Sequence, residues 1–238
     1  MVFTPQLIAD VEPEMVVIPE GRFLMGSERG ASNESPEHHV WVDSFALART
    51  AISNRLYRLF LEETRREPPP GLLNERFNHP DQPVTSVSWF DATAYCKWLA
   101  EQTGRDYRLP TEAEWERAAR GGLEGRLYTW GDDPPQDRPG YFESWLNGPE
   151  RVGQRPPNGF GLYDISENVH EWCSDWYSEH YYSVSPEFNP QGPGSGTRRA
   201  SRGGSWRHQI KITRVAARSS IPPEFQYSDY GFRCAMSL

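Results

Sequence analysis

The density of chain-breaking residues constrains this chain more than any other feature. It carries 20 glycines and 21 prolines in 238 residues. Both punctuate helices and strands, so the regular elements must be short and joined by much irregular chain. A packed core is still expected, because 11 Phe, 11 Tyr and 9 Trp supply large apolar surfaces, which argues against global disorder. No repeat recurs at a fixed period, so a solenoid is excluded. The length suits a single domain over 1–238. The Pro68-Pro69-Pro70-Gly71 run reads as a loop within it, since composition does not change across it.

Between the breakers, local signals place a few elements. Met15 to Met25 reads as extended chain with a turn, and Val40 to Phe45 alternates as a half-buried strand should. Ser53 or Asn54 can cap a helix running to about Arg66, with Leu56, Leu59 and Phe60 on one face. Ser88 caps a second helix. Asp91 answers it in a capping box, Ala92, Tyr95, Cys96 and Leu99 form the apolar face, and Gly104 supplies a left-handed stop. Thr111 and Glu114 make the same box for a shorter helix that ends at Gly121-Gly122. Further strands are expected at Leu162 to Ile165, Arg202 to Trp206, Arg214 to Ala217 and Gly231 to Ala235. The sum is α+β: a few helices packed on small antiparallel sheets, with low regular content.

The net charge of −8 and a pI near 5.3 exclude non-specific nucleic-acid binding by the whole surface. The charge is uneven. From Phe188 to Pro223 there is no Asp or Glu, yet Arg198, Arg199, Arg202, Arg207, Lys211, Arg214 and Arg218 fall there. Such a stretch either pairs with the acidic remainder or forms a site for an anion. Met1 to Asp10 has no basic region and no long apolar run, and no segment offers the ~20 apolar residues of a membrane helix. A cytoplasmic protein without membrane partners is the expectation. Cys96, Cys173 and Cys234 are too few and scattered for a disulfide framework or a zinc site.

Ordered motifs carry a family resemblance. Arg108-Leu109-Pro110-Thr111-Glu112-Ala113-Glu114-Trp115-Glu116 with Ala119-Arg120-Gly121-Gly122 is the most specific block. Gly161-Leu162-Tyr163, Asn168-Val169, Glu171-Trp172, Arg202-Gly203-Gly204-Ser205-Trp206, Ala216-Ala217-Arg218 and Gly231-Phe232-Arg233-Cys234 follow in order. The chain resembles the formylglycine-generating-enzyme, or sulfatase-modifying-factor, superfamily from about residue 15 to 235. The resemblance implies that superfamily's variant of the C-type-lectin-like fold. It also implies an oxidation of a peptide cysteine by oxygen at copper(I), held by two cysteines between the Gly-Gly-Ser and Ala-Ala-Arg motifs. Soft thiolates select copper(I). Here the stretch Trp206 to Val215 contains no cysteine, so that activity is not expected.

What the resemblance retains is a groove and a calcium turn. Ser205 matches a serine beside the oxygen and substrate site, and His208 stands near the first missing cysteine; these two are the catalytic candidates. Arg202, Trp206, Arg207, His208 and Tyr227 are expected to rim the substrate groove. Asp164 and Glu171 match side-chain calcium ligands, with Glu167 and Val169 giving carbonyls, and oxygen donors suit that hard cation. A second calcium loop near Tyr141 to Arg151 lacks the ligand pattern. Cys96 and Cys234 match a pair bridged in secreted relatives, and are expected as neighbouring thiols in a cytosolic chain. Two functions follow. One is a non-catalytic domain binding a peptide, a protein or a small anionic ligand in the groove. The other is an oxidative enzyme of different chemistry, dependent on non-haem iron or copper. A variable protein of a diversity-generating retroelement is disfavoured, because no Asn follows Asn189.

Overall fold

The computed structural model describes residues 11–137, 148–207 and 213–238. Among the described residues, ten short strands and four α-helices form an α+β fold on small, mostly antiparallel sheets. The first sheet has the order β1 (Met15–Ile18), β4 (Phe45–Ala48), β10 (Ala235–Ser237) and β5 (Tyr107–Arg108), which joins the two ends of the chain. A hairpin-like pair follows, β2 (Gly21–Met25) with β3 (His38–Val42). The third sheet runs β8 (Arg218–Ile221), β7 (Arg199–Arg202), β6 (His170–Trp176) and β9 (Tyr230–Gly231), and only its β6–β9 pair is parallel.

The helices begin and end where their caps put them. Helix α1 spans Asn54–Thr64 behind Ser53, whose Oγ accepts from Leu56 N, and Arg65 closes it in the left-handed region at φ 55°. Its last residue, Thr64, lies two positions before the expected Arg66. Helix α2, Pro70–Leu73, replaces the expected loop: proline suits the first helical turn, where its missing N–H costs nothing. Helix α3, Trp89–Thr103, has the Ser88–Asp91 capping box and stops at Gly104. Helix α4, Glu112–Arg120, has the Thr111–Glu114 box and stops at Gly121. Two apolar clusters make the core. One joins Tyr57, Phe60, Tyr95, Trp98 and Phe232 between α1, α3 and the C-terminal segment. The other joins Phe23, Val40, Phe45, Trp115 and Cys173 around α4.

Strand positions depart from the sequence expectations for identifiable reasons. The expected Val40–Phe45 strand is broken at Asp43, whose N–H donates to Asn189 Oδ1 and whose Oδ1 accepts from Trp41 Nε1. Leu162 to Ile165 forms turns instead, with Leu162 N donating to Asn158 Oδ1 and Asp164 at φ 55°. The strand expected from Arg202 ends there. Gly203 takes φ 79°, and a Cβ on it would press within 3.3 Å of both Ile165 O and Trp115. Ala217 N bonds back to Arg214 O, so 214–217 is a turn and the strand starts at Arg218. Gly231 to Ala235 divides between β9 and β10.

Candidate functional site

The arginines of the acid-free stretch decide where the site lies. Arg202 and Arg218 point into the protein toward α4. Arg202 donates to Glu112 Oε1 at 2.9 Å, Glu116 Oε2 at 2.5 Å, Tyr182 OH and Val215 O. Arg218 grips both oxygens of Glu112 at 2.7 and 2.9 Å. Arg120 pairs with Glu116, and Arg214 forks onto Glu34 at 2.5 and 2.6 Å. Burial alone would protonate Glu112 and Glu116, but the guanidiniums beside them win. Arg218 and Arg202 hold Glu112 low, and Arg120 and Arg202 bring Glu116 to about 2. Arg202 therefore does not rim a groove, contrary to the sequence expectation. Its side chain is fully buried, because Glu112 and Glu116 of α4 compensate its charge in the core.

Beyond Arg202 the chain turns outward and builds a cleft of about 400 Å³. Its lining includes His170, Arg207, Ser219, Tyr227, Asp229 and Tyr230. Ser205 lies buried behind this lining, and its hydroxyl donates to Asp229 Oδ2 at 2.7 Å. The Arg207 backbone N–H donates to the Ser205 oxygen at 3.3 Å, so that oxygen is oriented from both sides. The Arg207 guanidinium reaches Asp229 Oδ1 at 3.6 Å and Ser228 Oγ, and leaves 47% of its side chain exposed. Tyr230 packs its ring on His170 at 4.9 Å. Its hydroxyl meets Ser201 and Ser219, and burial raises the phenol above its usual range, so it stays protonated.

Of the residues expected at the groove, Arg207 and Tyr227 line this cleft, and Ser205 joins it through Asp229. Trp206 is half-buried and packs on Phe77 at 5.4 Å, and it is not part of the cleft lining. His208 lies outside the described residues. Asp229, Tyr230 and His170 were not singled out from sequence. No local pattern marks them, since Asp229 meets Ser205 across 24 residues.

The expected calcium residues have protein partners. Glu171 is buried, and Arg233 takes both its oxygens at 2.7 Å while Trp115 Nε1 donates to one of them. Asp164 accepts from Gly153 N, and burial raises its carboxyl to about 6. Glu167 faces Arg155 at 3.7 Å, and Val169 is buried. The side chains of Glu171, Asp164 and Glu167 thus each have a protein partner in this structure. The loop expected from Tyr141 to Arg151 falls largely on residues 141–147, outside those described. Among the described residues no group of three or more His, Cys, Asp or Glu side chains is placed to hold a metal ion.

Nor do the described lining residues of the cleft fit copper(I), for none of them is a cysteine. Cys96 and Cys234 sit together in the core, Sγ to Sγ 3.4 Å, as neighbouring free thiols. Burial pushes the Cys173 and Cys234 thiols well up.

The family comparison agrees with the motifs. The sulfatase-modifying factor enzyme 1-like domain matches residues 4–238. The chain belongs to this family. It is 36% identical to the formylglycine-generating enzyme of Streptomyces coelicolor, covering 92% of this chain and 88% of that one. It is 30% identical to the mouse inactive C-alpha-formylglycine-generating enzyme 2, over 95% of this chain and 86% of that one. It is also 36% identical to the serine/threonine-protein kinase pkn1 of Chlamydia pneumoniae, but spans only 38% of that protein. Among solved structures, PvdO from Pseudomonas aeruginosa superposes with a TM-score of 0.78 at 28% identity, over 95% of each chain. Variable protein 1 of Treponema denticola shares the fold, with a TM-score of 0.78 at 24% identity over 94% of this chain and 95% of that one. Within the family, this chain lacks the cysteine pair between Gly-Gly-Ser and Ala-Ala-Arg.

Proposed function

We propose that this sulfatase-modifying-factor-like domain is a non-catalytic binding domain, whose cleft takes a peptide, a protein segment or a small anionic ligand. One observation carries the reading. The cleft keeps its serine, oriented between Asp229 and the Arg207 N–H, while the stretch Trp206 to Val215 has no thiol to hold copper(I) or capture a substrate thiol. A shaped site without its reactive sulfur binds but does not oxidise. The half-exposed Arg207 supplies donors for a carboxylate or phosphate, with Tyr227 as an apolar wall. A relative named as inactive supports the reading that the scaffold outlasts the chemistry.

The test incubates the protein with copper, oxygen and a cysteine-containing sulfatase peptide, and follows the peptide by mass. The cysteine should stay unoxidised. Metal analysis of protein purified without a tag completes it. Catalytic turnover of the peptide, or stoichiometric iron or copper bound to the protein, would overturn the proposal in favour of an oxidative enzyme.

A further inference from the structure

The surroundings of the cleft point to the kind of partner, an inference that rests on the binding reading above. The arginines of the acid-free stretch divide into two groups. Arg202, Arg214 and Arg218 are neutralised by Glu112, Glu116 and Glu34. Among the described residues Arg198 and Arg199 make no ion pair, and Arg207 reaches Asp229 only at 3.6 Å. Arg198 is exposed and donates to Ser220 on β8, an edge strand of its sheet. Arg199 is stacked between Trp89 and Trp176, its Cζ 3.8 and 3.5 Å from the two ring centroids.

This cationic edge runs into an aromatic one. The Trp89 N–H donates to Pro223 O, at the root of the loop that carries Phe225 and Tyr227. Phe225 and Tyr227 are 41% and 44% exposed, and Phe90, next to Trp89, is 56% exposed. Glu224 is the exposed carboxylate of that loop. Large aromatic side chains left in water together, bordered by cations, mark an interaction surface rather than an ordinary solvated face. The overall charge is −8, so these cations are concentrated here against the trend of the molecule. Stacking also holds Arg199 in place, which lowers the entropy lost when it is engaged. Single-stranded nucleic acid uses similar groups, but its continuous phosphate charge matches a molecule of this net charge poorly.

We propose that this face, from Arg198 and Arg199 across Phe90 and Phe225 to Tyr227 and Arg207, docks an acidic, aromatic-bearing peptide segment of a partner protein. Its carboxylates take Arg198 and Arg207, and its apolar side chains lie on Phe90, Phe225 and Tyr227.

The probe is a fluorescein-labelled peptide of alternating Glu and Tyr, titrated with the full chain and read by anisotropy. It should bind, and its affinity should fall with salt. Arg198→Glu and Phe90→Ser, both on exposed side chains, should each weaken binding about tenfold without moving the melting temperature. The matching Lys and Tyr peptide should not bind. Four results overturn the proposal: no binding, equal binding of the Lys peptide, tighter binding of oligothymidine, or no effect of the two substitutions. Arg207→Ala separates the two levels. If it weakens binding while the other two variants do not, the cleft stands and the docking face falls. If only the other two matter, the face stands and the cleft reading falls.

Discussion

Replacing Glu116 by glutamine tests whether the buried charge cluster is what holds α4 to the third sheet. Glu116 is fully buried. It accepts from Arg202 Nη2 at 2.5 Å, from Arg120 Nη2 at 2.6 Å and from Gly26 N at 2.9 Å. Burial opposes its charge, and Arg120 and Arg202 reverse that, lowering its carboxyl from 4.5 to about 2. A fall of that size corresponds to roughly 3 kcal/mol of stability. Glutamine keeps the shape and one acceptor, but leaves Arg202 to share Glu112 with Arg218 and leaves Arg120 without a carboxylate. Breaking one side of a buried pair costs roughly 3–5 kcal/mol, because the remaining charge stays desolvated.

The folded value lies below the unfolded one, so this contribution is complete above 4.5 and disappears as the pH falls toward 2. Urea denaturation of both proteins across neutral and acid pH reads it. The gap should be about 3 kcal/mol or more at neutral pH and should close through that acid window. A loss below about 1 kcal/mol, or a gap indifferent to pH, would show that the Glu116 charge does not hold α4 in place.

Three further predictions address other parts of the molecule. Thr111→Ala removes the hydroxyl that accepts from Glu114 N at 3.1 Å and should cost about 1 kcal/mol in denaturant unfolding; an unchanged midpoint would show that the cap contributes nothing. Asp175 is raised from 3.8 to about 7 by burial and by Glu112, so its ionisation should erode stability as pH rises between those values. Asp175→Asn keeps an acceptor for Glu112 N and should gain on the wild type through that window, whereas parallel midpoint curves would contradict it. For calcium, the ion pair of Glu171 with Arg233 leads us to expect a melting temperature indifferent to chelator and added calcium. A calcium-dependent rise that Asp164→Ala abolishes would instead establish the site, since a bound ligand stabilises the native state by mass action.

The parts of this protein that were legible in its sequence are those decided within a few residues. Ser88 meets Asp91, and Thr111 meets Glu114, three positions apart. Gly104 and Gly121 stop helices because they alone reach the left-handed region without a Cβ penalty. The family motifs lie in order along the chain, and the missing cysteines are a matter of composition between two of them. The strands were less legible. Asp43 and Gly203 leave their ladders because of Asn189 and Trp115, which are close only after folding. That the basic stretch could pair with the acidic remainder was legible, but which arginine would do so was not. Arg202 and Arg207 are five residues apart in one basic stretch, yet one is sealed in the core and the other half-exposed at the cleft. That difference depends on where distant carboxylates arrive: Glu116 lies 86 residues from Arg202, Glu112 lies 106 from Arg218, and Glu34 lies 180 from Arg214. A guanidinium is buried only where a carboxylate compensates its desolvation, so tertiary structure alone sorted the cations of the core from those left at the surface.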